Sequence, residues 1–296
     1  MIITAYKYTM TGGPLMYILN VLKSILFGII EGITEWLPIS STGHMILLDR
    51  ICSFKGVSAE FFEMFLVVIQ LGAICAVLVM FWNKLWPFKT VVSETGKKDF
   101  KLRMPSIRLW CKVLVGSIPA GVLGLIFDDL LDKYLYNHIT VAITLIIYGV
   151  LFIVIEMRNK KTRPRVKKLS ELTYKDAFLI GLFQALSLIP GTSRSGSTIL
   201  GGITIGTSRR VASEFTFFLA VPAMMGASLL KILKFGFAFS AMEFVILIVG
   251  MITAFAVSLL VIRFLMDFIK KHNFNIFGIY RIILGAIVLI SFIISR

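Results

Sequence analysis

The sequence predicts an all-α polytopic membrane protein with six transmembrane helices and two re-entrant helical hairpins, arranged as an inverted-topology repeat. Hydrophobic residues make up 57% of the 296 positions and charged residues only 16%, whereas a soluble domain carries about 25% charged residues. Several apolar runs exceed the ~18 residues typical of a membrane span. This composition excludes a soluble enzyme, a disordered protein and a coiled coil.

Each predicted span is a long apolar segment. The six segments are Phe61–Trp82, Ile107–Phe127, Ile139–Ile155, Val211–Leu230, Phe244–Met266 and Ile276–Ser295. Two further stretches, Leu15–Leu48 and Tyr174–Ile205, are apolar at both ends but polar in the middle, with a proline at each break. Such a pattern predicts a hairpin that enters the membrane and returns, which is tolerated only where the irregular backbone is buried in protein or lines a wet cavity.

The distribution of basic residues predicts how the spans are oriented. The formal net charge is +15, and the loops Asn83–Arg108 and Met157–Lys175 hold seven and eight Lys or Arg residues. Basic loops stay in the cytoplasm, so we interpret this charge as topological and expect no nucleic-acid partner. The acidic segment around Asp128 and Asp132 is then external, and so are both termini.

The chain then divides into two halves of opposite orientation within one membrane domain, residues 1–296. The first repeat is 15–156, the second is 174–296, and 157–173 is a basic cytoplasmic linker. Each repeat is a hairpin followed by three spans, and an odd number of spans inverts the second copy. Around Pro38 and Pro190 the two breaks align, pairing Ser41 with Ser193.

The first break carries two carboxylates and a histidine. Glu31 and Glu35 are four residues apart and share one helix face, where their repulsion calls for a cation such as Mg²⁺ or Ca²⁺ or a strong donor. Pro38 ends that helix, and the new helix that begins near Ser40, Ser41 and Thr42 offers an anion site. His44 follows, as a candidate acid, base or nucleophile.

The second break carries one cation among glycines and hydroxyls. It contains Gly191, Thr192, Ser193, Arg194 and Ser195. Glycine lets backbone amides approach an anion, and arginine binds phosphate with two parallel hydrogen bonds. An inverted repeat would bring this cation and the carboxylates to one site.

These groups suit a phosphate-bearing ligand whose lipid tail stays in the bilayer. Gln184 is either a polar liner of this site or a helix–helix hydrogen bond. Hydrolysis of a phosphoanhydride needs charge neutralisation, a nucleophile, proton transfer and exclusion of water. A transporter or flippase of a lipid phosphate, also built from inverted repeats and broken helices, is the alternative.

The run EGITEWLPISSTGH at Glu31–His44 and the run PGTSRSG at Pro190–Gly196 resemble the two signature motifs of the undecaprenyl-diphosphate phosphatase family of the bacitracin-resistance type. The resemblance extends over nearly the whole chain. It implies hydrolysis of undecaprenyl diphosphate to undecaprenyl phosphate and phosphate, recycling the carrier lipid for cell-wall synthesis and giving bacitracin tolerance. It also implies a divalent-metal requirement and a site open to the outer face of the plasma membrane.

Carried over to this sequence, the resemblance assigns catalytic roles to Glu31, Glu35, Ser41 and His44. It assigns phosphate binding to Ser193 and Arg194. From the polar pattern of the breaks we add further substrate-binding residues: Ser40, Thr42, Gln184, Gly191, Thr192 and Ser195. Glu31 and Glu35 are the expected metal ligands, or one of them acts as the base. Three nucleophiles stay open: Ser41 with His44 as proton shuttle, water, or His44 itself. A homodimer is compatible with the sequence.

Overall fold

The computed structural model describes residues 13–92, 98–160 and 162–294. Within these residues the chain is helical apart from one two-stranded antiparallel sheet. The helices are α1 (Pro14–Thr34), α2 (Ser41–Cys52), α3 (Ala59–Val68), α4 (Gln70–Met80), α5 (Trp82–Leu85), α6 (Met104–Leu135), α7 (His138–Asn159), α8 (Tyr174–Leu186), α9 (Arg194–Thr204), α10 (Arg209–Phe235), α11 (Ala241–Lys271) and α12 (Asn275–Ile294).

The sheet was not predicted from the sequence. Strands β1 (Phe88–Val92) and β2 (Lys98–Leu102) pair antiparallel, with Phe88 opposite Leu102. They lie in the basic segment between α5 and α6, whose residues 93–97 fall outside the described range. The sheet is an addition to the predicted all-α architecture and leaves the order of the spans unchanged.

In the described part of the chain, seven helices are long and apolar enough to cross a membrane, counting α3 and α4 as one. Six of them coincide with the six predicted spans, although Ser295, the end of the last one, lies outside the described residues. The seventh is α1, which has 21 residues and was expected to be one limb of a hairpin. By length alone, then, the arrangement of six spans and two re-entrant hairpins is not confirmed.

The other three limbs of the predicted hairpins are short. Helices α2, α8 and α9 contain 12, 13 and 11 residues, whereas a membrane-spanning helix needs ~20. The two limbs of each predicted hairpin contact each other: α1 packs against α2, and α8 packs against α9. The loop 35–40 joins the first pair, and the loop 187–193 joins the second.

Helix contacts follow the same rule in both halves of the chain. Helix α1 packs on α11, and its counterpart α8 packs on α6. The third spans of the two halves, α7 and α12, pack on each other. Each first limb therefore contacts the second span of the opposite half.

Glycine pairs allow these close crossings. A Cβ atom on Gly28 of α1 would lie 2.6 Å from the carbonyl oxygen of Gly250 in α11, and one on Gly181 of α8 would lie 2.1 Å from that of Gly116 in α6. Small residues let helix backbones approach closely within membranes. A pair of glycines thus allows the close approach of the helices at equivalent crossings in the two halves.

The starts of α2 and α9 define the structural register between the halves. Ser40 and Ser193 are the residues that precede these helices, and both have positive φ angles, 70° and 69°. This register places Ser41 opposite Arg194, one position away from the alignment predicted from sequence. Three residues separate Pro190 from the start of α9, whereas two separate Pro38 from the start of α2. An alignment of the two loops therefore needs a one-residue gap, and no pattern in the loop sequences indicated its position.

Candidate active site

The two interrupted stretches meet through an ion pair between Glu35 and Arg194. Arg194 Nη2 lies 3.1 Å from Glu35 Oε1, and Arg194 Nε lies 3.4 Å from the same oxygen. Both side chains are largely buried. Arg194 also donates to the carbonyl oxygen of Thr216 in α10 at 2.9 Å and lies over the ring of Trp36, 5.8 Å from its centroid. The predicted meeting of a carboxylate and the lone arginine is therefore present.

Ser41 lies on the other side of the same carboxylate. Its hydroxyl donates to Glu35 Oε2 at 3.1 Å. Because Ser41 is the first residue of α2, the strained backbone at Ser40 directs it toward Glu35. A positive φ at a residue other than glycine costs roughly 1–3 kcal/mol and is found mainly at functional sites.

Glu31 is buried one helical turn before Glu35. It is 1% exposed, and its Oε1 has no hydrogen-bond partner among the described residues. A buried carboxyl group with an unpartnered oxygen is costly unless it is compensated.

This donor set fits a hard divalent cation. Mg²⁺ is commonly held by one or two carboxylates together with substrate phosphates and water, and the unpartnered oxygen of Glu31 is available for it. Among the described residues no group of three or more His, Cys, Asp or Glu side chains is placed to hold a metal. Glu31 and Glu35 would therefore supply two protein ligands, and substrate and water the rest.

A cavity of about 160 Å³ opens beside this ion pair. A cavity of roughly 10–15 Å³ on this measure already holds one water molecule, so this cavity has room for a phosphate group. Six of the residues predicted as functional line it: Glu35, Ser41, Thr42, Gly191, Ser193 and Arg194.

Three more lining residues were not predicted to belong to the site: Gln70, Ser187 and Met224. The pair Gly72-Ala73 recurs as Gly226-Ala227 in the second half, and aligning the two pairs places Gln70 opposite Met224. The alignment of Pro38 with Pro190 likewise places Ser187 opposite Glu35. Both relationships were signals in the sequence. The hydroxyl of Ser187 donates to the carbonyl of Gln184.

His44 lies outside the lining of the cavity. Its Nδ1 is 2.7 Å from the carbonyl oxygen of Ser40, and its Nε2 is 2.7 Å from the hydroxyl of Tyr280 in α12. A carbonyl can only accept, so Nδ1 carries the proton and Tyr280 donates to Nε2. Both ring nitrogens are thus engaged, and the ring stacks on Tyr280.

Arg281 in α12 was not predicted, and it connects both loops. It is fully buried. Its Nη1 donates to the carbonyl of Pro38 at 3.3 Å, and its Nη2 donates to the carbonyls of Gly191 and Thr192 at 2.9 Å each. A lone arginine within an apolar span is itself a sign of function, so the sequence contained this signal.

The remaining predicted residues hold the loops or lie apart from the cavity. Ser195 contacts Ser193 Oγ and donates to the carbonyl of Leu37 in the first loop, both at 3.2 Å. The hydroxyls of Ser40 and Thr192 are buried without a partner among the described residues, as are both amide atoms of Gln184. Gln184 therefore neither lines the cavity nor forms the helix–helix hydrogen bond that was its other interpretation.

Comparison with known proteins gives one consistent result. The family model described as "Bacitracin resistance protein BacA" matches residues 24–287. The undecaprenyl-diphosphatase of Acetivibrio thermocellus is 58% identical over 278 residues, which are 94% of this chain and 100% of that protein. The undecaprenyl-diphosphatase of Desulfitobacterium hafniense is 56% identical over 94% of this chain and 98% of its own. One from Enterococcus faecalis is 56% identical over 92% of this chain and 97% of its own.

Proposed function

The chain belongs to the bacitracin resistance protein BacA family, and from this we propose its reaction: hydrolysis of undecaprenyl diphosphate to undecaprenyl phosphate and inorganic phosphate. The product is the carrier lipid for peptidoglycan and other cell-wall polymers. Bacitracin sequesters the diphosphate, so hydrolysis of that lipid gives tolerance to the antibiotic. The chain is a multi-pass membrane protein, and its substrate stays anchored in the bilayer by the polyprenyl tail.

The observation that carries this proposal is the ion pair between Glu35 and Arg194 at the edge of a phosphate-sized cavity. In the substrate complex, Arg194 exchanges the carboxylate of Glu35 for oxygens of the terminal phosphate, which its planar guanidinium binds with two parallel hydrogen bonds. The hydroxyls of Thr42 and Ser193 line the same space and donate to further phosphate oxygens.

Glu31 and Glu35 would hold Mg²⁺ or Ca²⁺, which supplies neutralisation of the diphosphate charge when bound. The unpartnered oxygen of Glu31 supports this assignment. Arg194 orients the terminal phosphate, and the buried loops exclude bulk water.

The hydrogen bond from Ser41 to Glu35 supports Ser41 as the nucleophile. Ser41 Oγ attacks the terminal phosphorus and its proton passes to Glu35. The anhydride P–O bond breaks, and undecaprenyl phosphate leaves. Glu35 passes its proton to the departing undecaprenyl phosphate. Water then attacks the phosphorus of the phosphoserine, the ester P–O bond breaks, one proton of the water returns to Ser41 Oγ, and phosphate leaves with the hydroxyl. This assigns to Glu35 the role of base that was one alternative from the sequence.

The position of His44 favours a different role from the predicted proton shuttle. Both of its ring nitrogens are engaged away from the cavity, with the Ser40 carbonyl and the Tyr280 hydroxyl. We assign His44 to holding the turn at Ser40, which in turn directs Ser41.

The proposed arrangement is six spans and two re-entrant hairpins in an inverted repeat, with the site open to the outer face and both termini external. Three findings support the inverted repeat and its hairpins: the equivalent helix crossings, the positive φ angles of Ser40 and Ser193, and the short limbs α2, α8 and α9. The basic loops support the orientation. In addition, Arg281 binds both hairpin tips about a third of the way along α12, a position within the membrane.

Phosphate release from undecaprenyl diphosphate by the purified protein in detergent tests this function. We expect release with Mg²⁺ or Ca²⁺ and loss of release with a chelator. Detergent removes the membrane barrier, so a pure transporter of lipid phosphate would release nothing. No release from folded protein, across both metals, would contradict the enzymatic function.

A further inference from the structure

A second cavity, of about 310 Å³, lies apart from the active site, between the end of α4, the start of α10 and the end of α11. Its charged lining residues are Lys84, Arg210, Glu214, Arg263, Asp267 and Lys270. They comprise four cations and two carboxylates, an excess of two positive charges. None of these residues belongs to the site described above.

The carboxylates of this cavity are already used. Glu214 is buried and accepts from Lys84 Nζ at 2.7 Å and from Arg210 Nε at 3.1 Å. Asp267 pairs with Lys270 at 2.6 Å. Arg263 has no hydrogen-bond or ion-pair partner within the part of the chain that the structure describes, although it lines the cavity. Arg263, whose side chain is exposed, is therefore available to bind an external anion.

The position of Arg263 along α11, relative to the hydrocarbon core, indicates that this anion is a lipid phosphate. Helix α11 has 31 residues and is about 46 Å long, so it extends ~8 Å beyond a ~30 Å hydrocarbon core at each end. Arg263 lies eight residues before the last residue of α11, about 12 Å along the helix. It thus lies just inside the hydrocarbon boundary, where a free guanidinium is costly and where a lipid phosphate is within reach of the side chain.

The remaining lining residues of the cavity are apolar, as expected for a site that also holds the hydrocarbon chain of a lipid. Met80, Phe81 and Met266 form the apolar part of the cavity, and Phe81 is also the residue over which Lys84 Nζ lies at 5.6 Å. The cavity adjoins the basic segment that begins at Asn83, so the positive-inside rule places it at the cytoplasmic leaflet, where basic pockets between helices bind anionic head groups.

We propose that this cavity is a binding site for a lipid phosphate, with the phosphate bound by Arg263 and attracted by the charge of Lys270, and the hydrocarbon chain along Met80, Phe81 and Met266. Two kinds of lipid carry such a phosphate. One is an anionic phospholipid. The other is a polyprenyl phosphate, and its binding here rests on the proposed enzymatic function.

Native mass spectrometry of the detergent-purified protein tests the site, with phosphatidylglycerol and phosphatidylcholine as probes. Arg263→Gln should lower phosphatidylglycerol binding about fivefold, and Arg263→Gln with Lys270→Gln about 25-fold, as expected for loss of one and two cations near a membrane surface. Arg158→Gln removes an exposed cation from the end of α7 and should leave binding unchanged. Equal binding of both lipids, or no effect of either variant while thermal unfolding stays the same, would overturn the proposal.

Undecaprenyl phosphate is measured separately in Arg194→Ala protein, so that the active site does not contribute. Preferential retention of undecaprenyl phosphate that Arg263→Gln removes would support the site and identify the polyprenyl phosphate as the source. Preferential retention of phosphatidylglycerol would identify phospholipid. Displacement of either lipid by an equal concentration of inorganic phosphate would show that an anion alone is bound, and would overturn the lipid assignment. These readouts do not require turnover, so they stay informative if the enzymatic function fails.

Discussion

Arg194 Nη2 and Glu35 Oε1 lie 3.1 Å apart although 159 positions separate the two residues in the sequence. This ion pair joins the two loops that interrupt otherwise apolar stretches. Breaking a buried pair by removing one partner is costly, because the other charge is left uncompensated. The pair therefore contributes to loop structure in the free protein, and in the proposed mechanism it opens when phosphate replaces the carboxylate.

Ser41→Ala tests the nucleophile. If Ser41 forms the phosphoenzyme, its loss should lower kcat by at least 10²-fold, since proton transfer from the nucleophile to its base is lost with it. Ser187→Ala is the matched control, because Ser187 lines the same cavity but donates to its own helix. It should retain activity within about tenfold. Equal activity of both variants would exclude Ser41 and favour direct attack by water.

His44 variants separate positioning from proton transfer. The Nδ1 of His44 donates to the Ser40 carbonyl, and an asparagine amide can also donate there but cannot shuttle protons near neutral pH. We therefore expect His44→Asn to retain about tenfold more turnover than His44→Ala. Steady-state phosphate release measures both. If the two variants are equally inactive, His44 transfers protons and the positioning role is wrong.

Arg281→Met tests whether the arginine holds both loops. The substitution leaves the carbonyls of Pro38, Gly191 and Thr192 without this donor, and we expect it to lower the free energy of unfolding by about 3 kcal/mol. Arg281→Lys should recover part of the loss, because one ammonium cannot reach all three carbonyls in the geometry of a guanidinium. Thermal unfolding in detergent measures the change. Arg158→Met, at an exposed position of α7, is the control, and an equal effect of both substitutions would show that Arg281 has no such role.

Cysteine labelling in intact cells tests the orientation. With Cys52, Cys75 and Cys111 replaced, a cysteine at Lys101 in β2 should react only after the membrane is permeabilised. A cysteine at Lys133, between the second and third spans, should react from outside. The reverse pattern would invert the topology and place the active site on the cytoplasmic side.

Much of the architecture followed from the sequence because apolar length is a strong signal in a membrane protein. All six predicted spans are helices, and the breaks near Pro38 and Pro190 are where α1 gives way to α2 and α8 to α9. The small sheet of β1 and β2 was missed, because a five-residue strand in a polar loop has no comparable signal. The extra residue of the second loop was misplaced for a similar reason, since only the positive φ of Ser40 and Ser193 defines the register.

The candidate site was predictable in its charges and less so in its geometry. Glu35 and Arg194 were expected to meet because an inverted repeat brings the two breaks to one site. The partner of His44 is Tyr280, 236 positions away, and nothing local to the first break indicates which way the ring turns. Arg281 stands out from its apolar span, but its contacts with both loops depend on how α12 packs.

The most direct test of the central claim is phosphate release from undecaprenyl diphosphate by Arg194→Ala protein, measured beside the unchanged protein and Arg158→Ala. If Arg194 binds the terminal phosphate through the reaction, its loss should lower kcat/KM by about 10²–10³-fold, with Arg158→Ala unaffected. Release by folded Arg194→Ala protein within tenfold of the unchanged protein would contradict the claim that the two loops form one phosphate-binding active site.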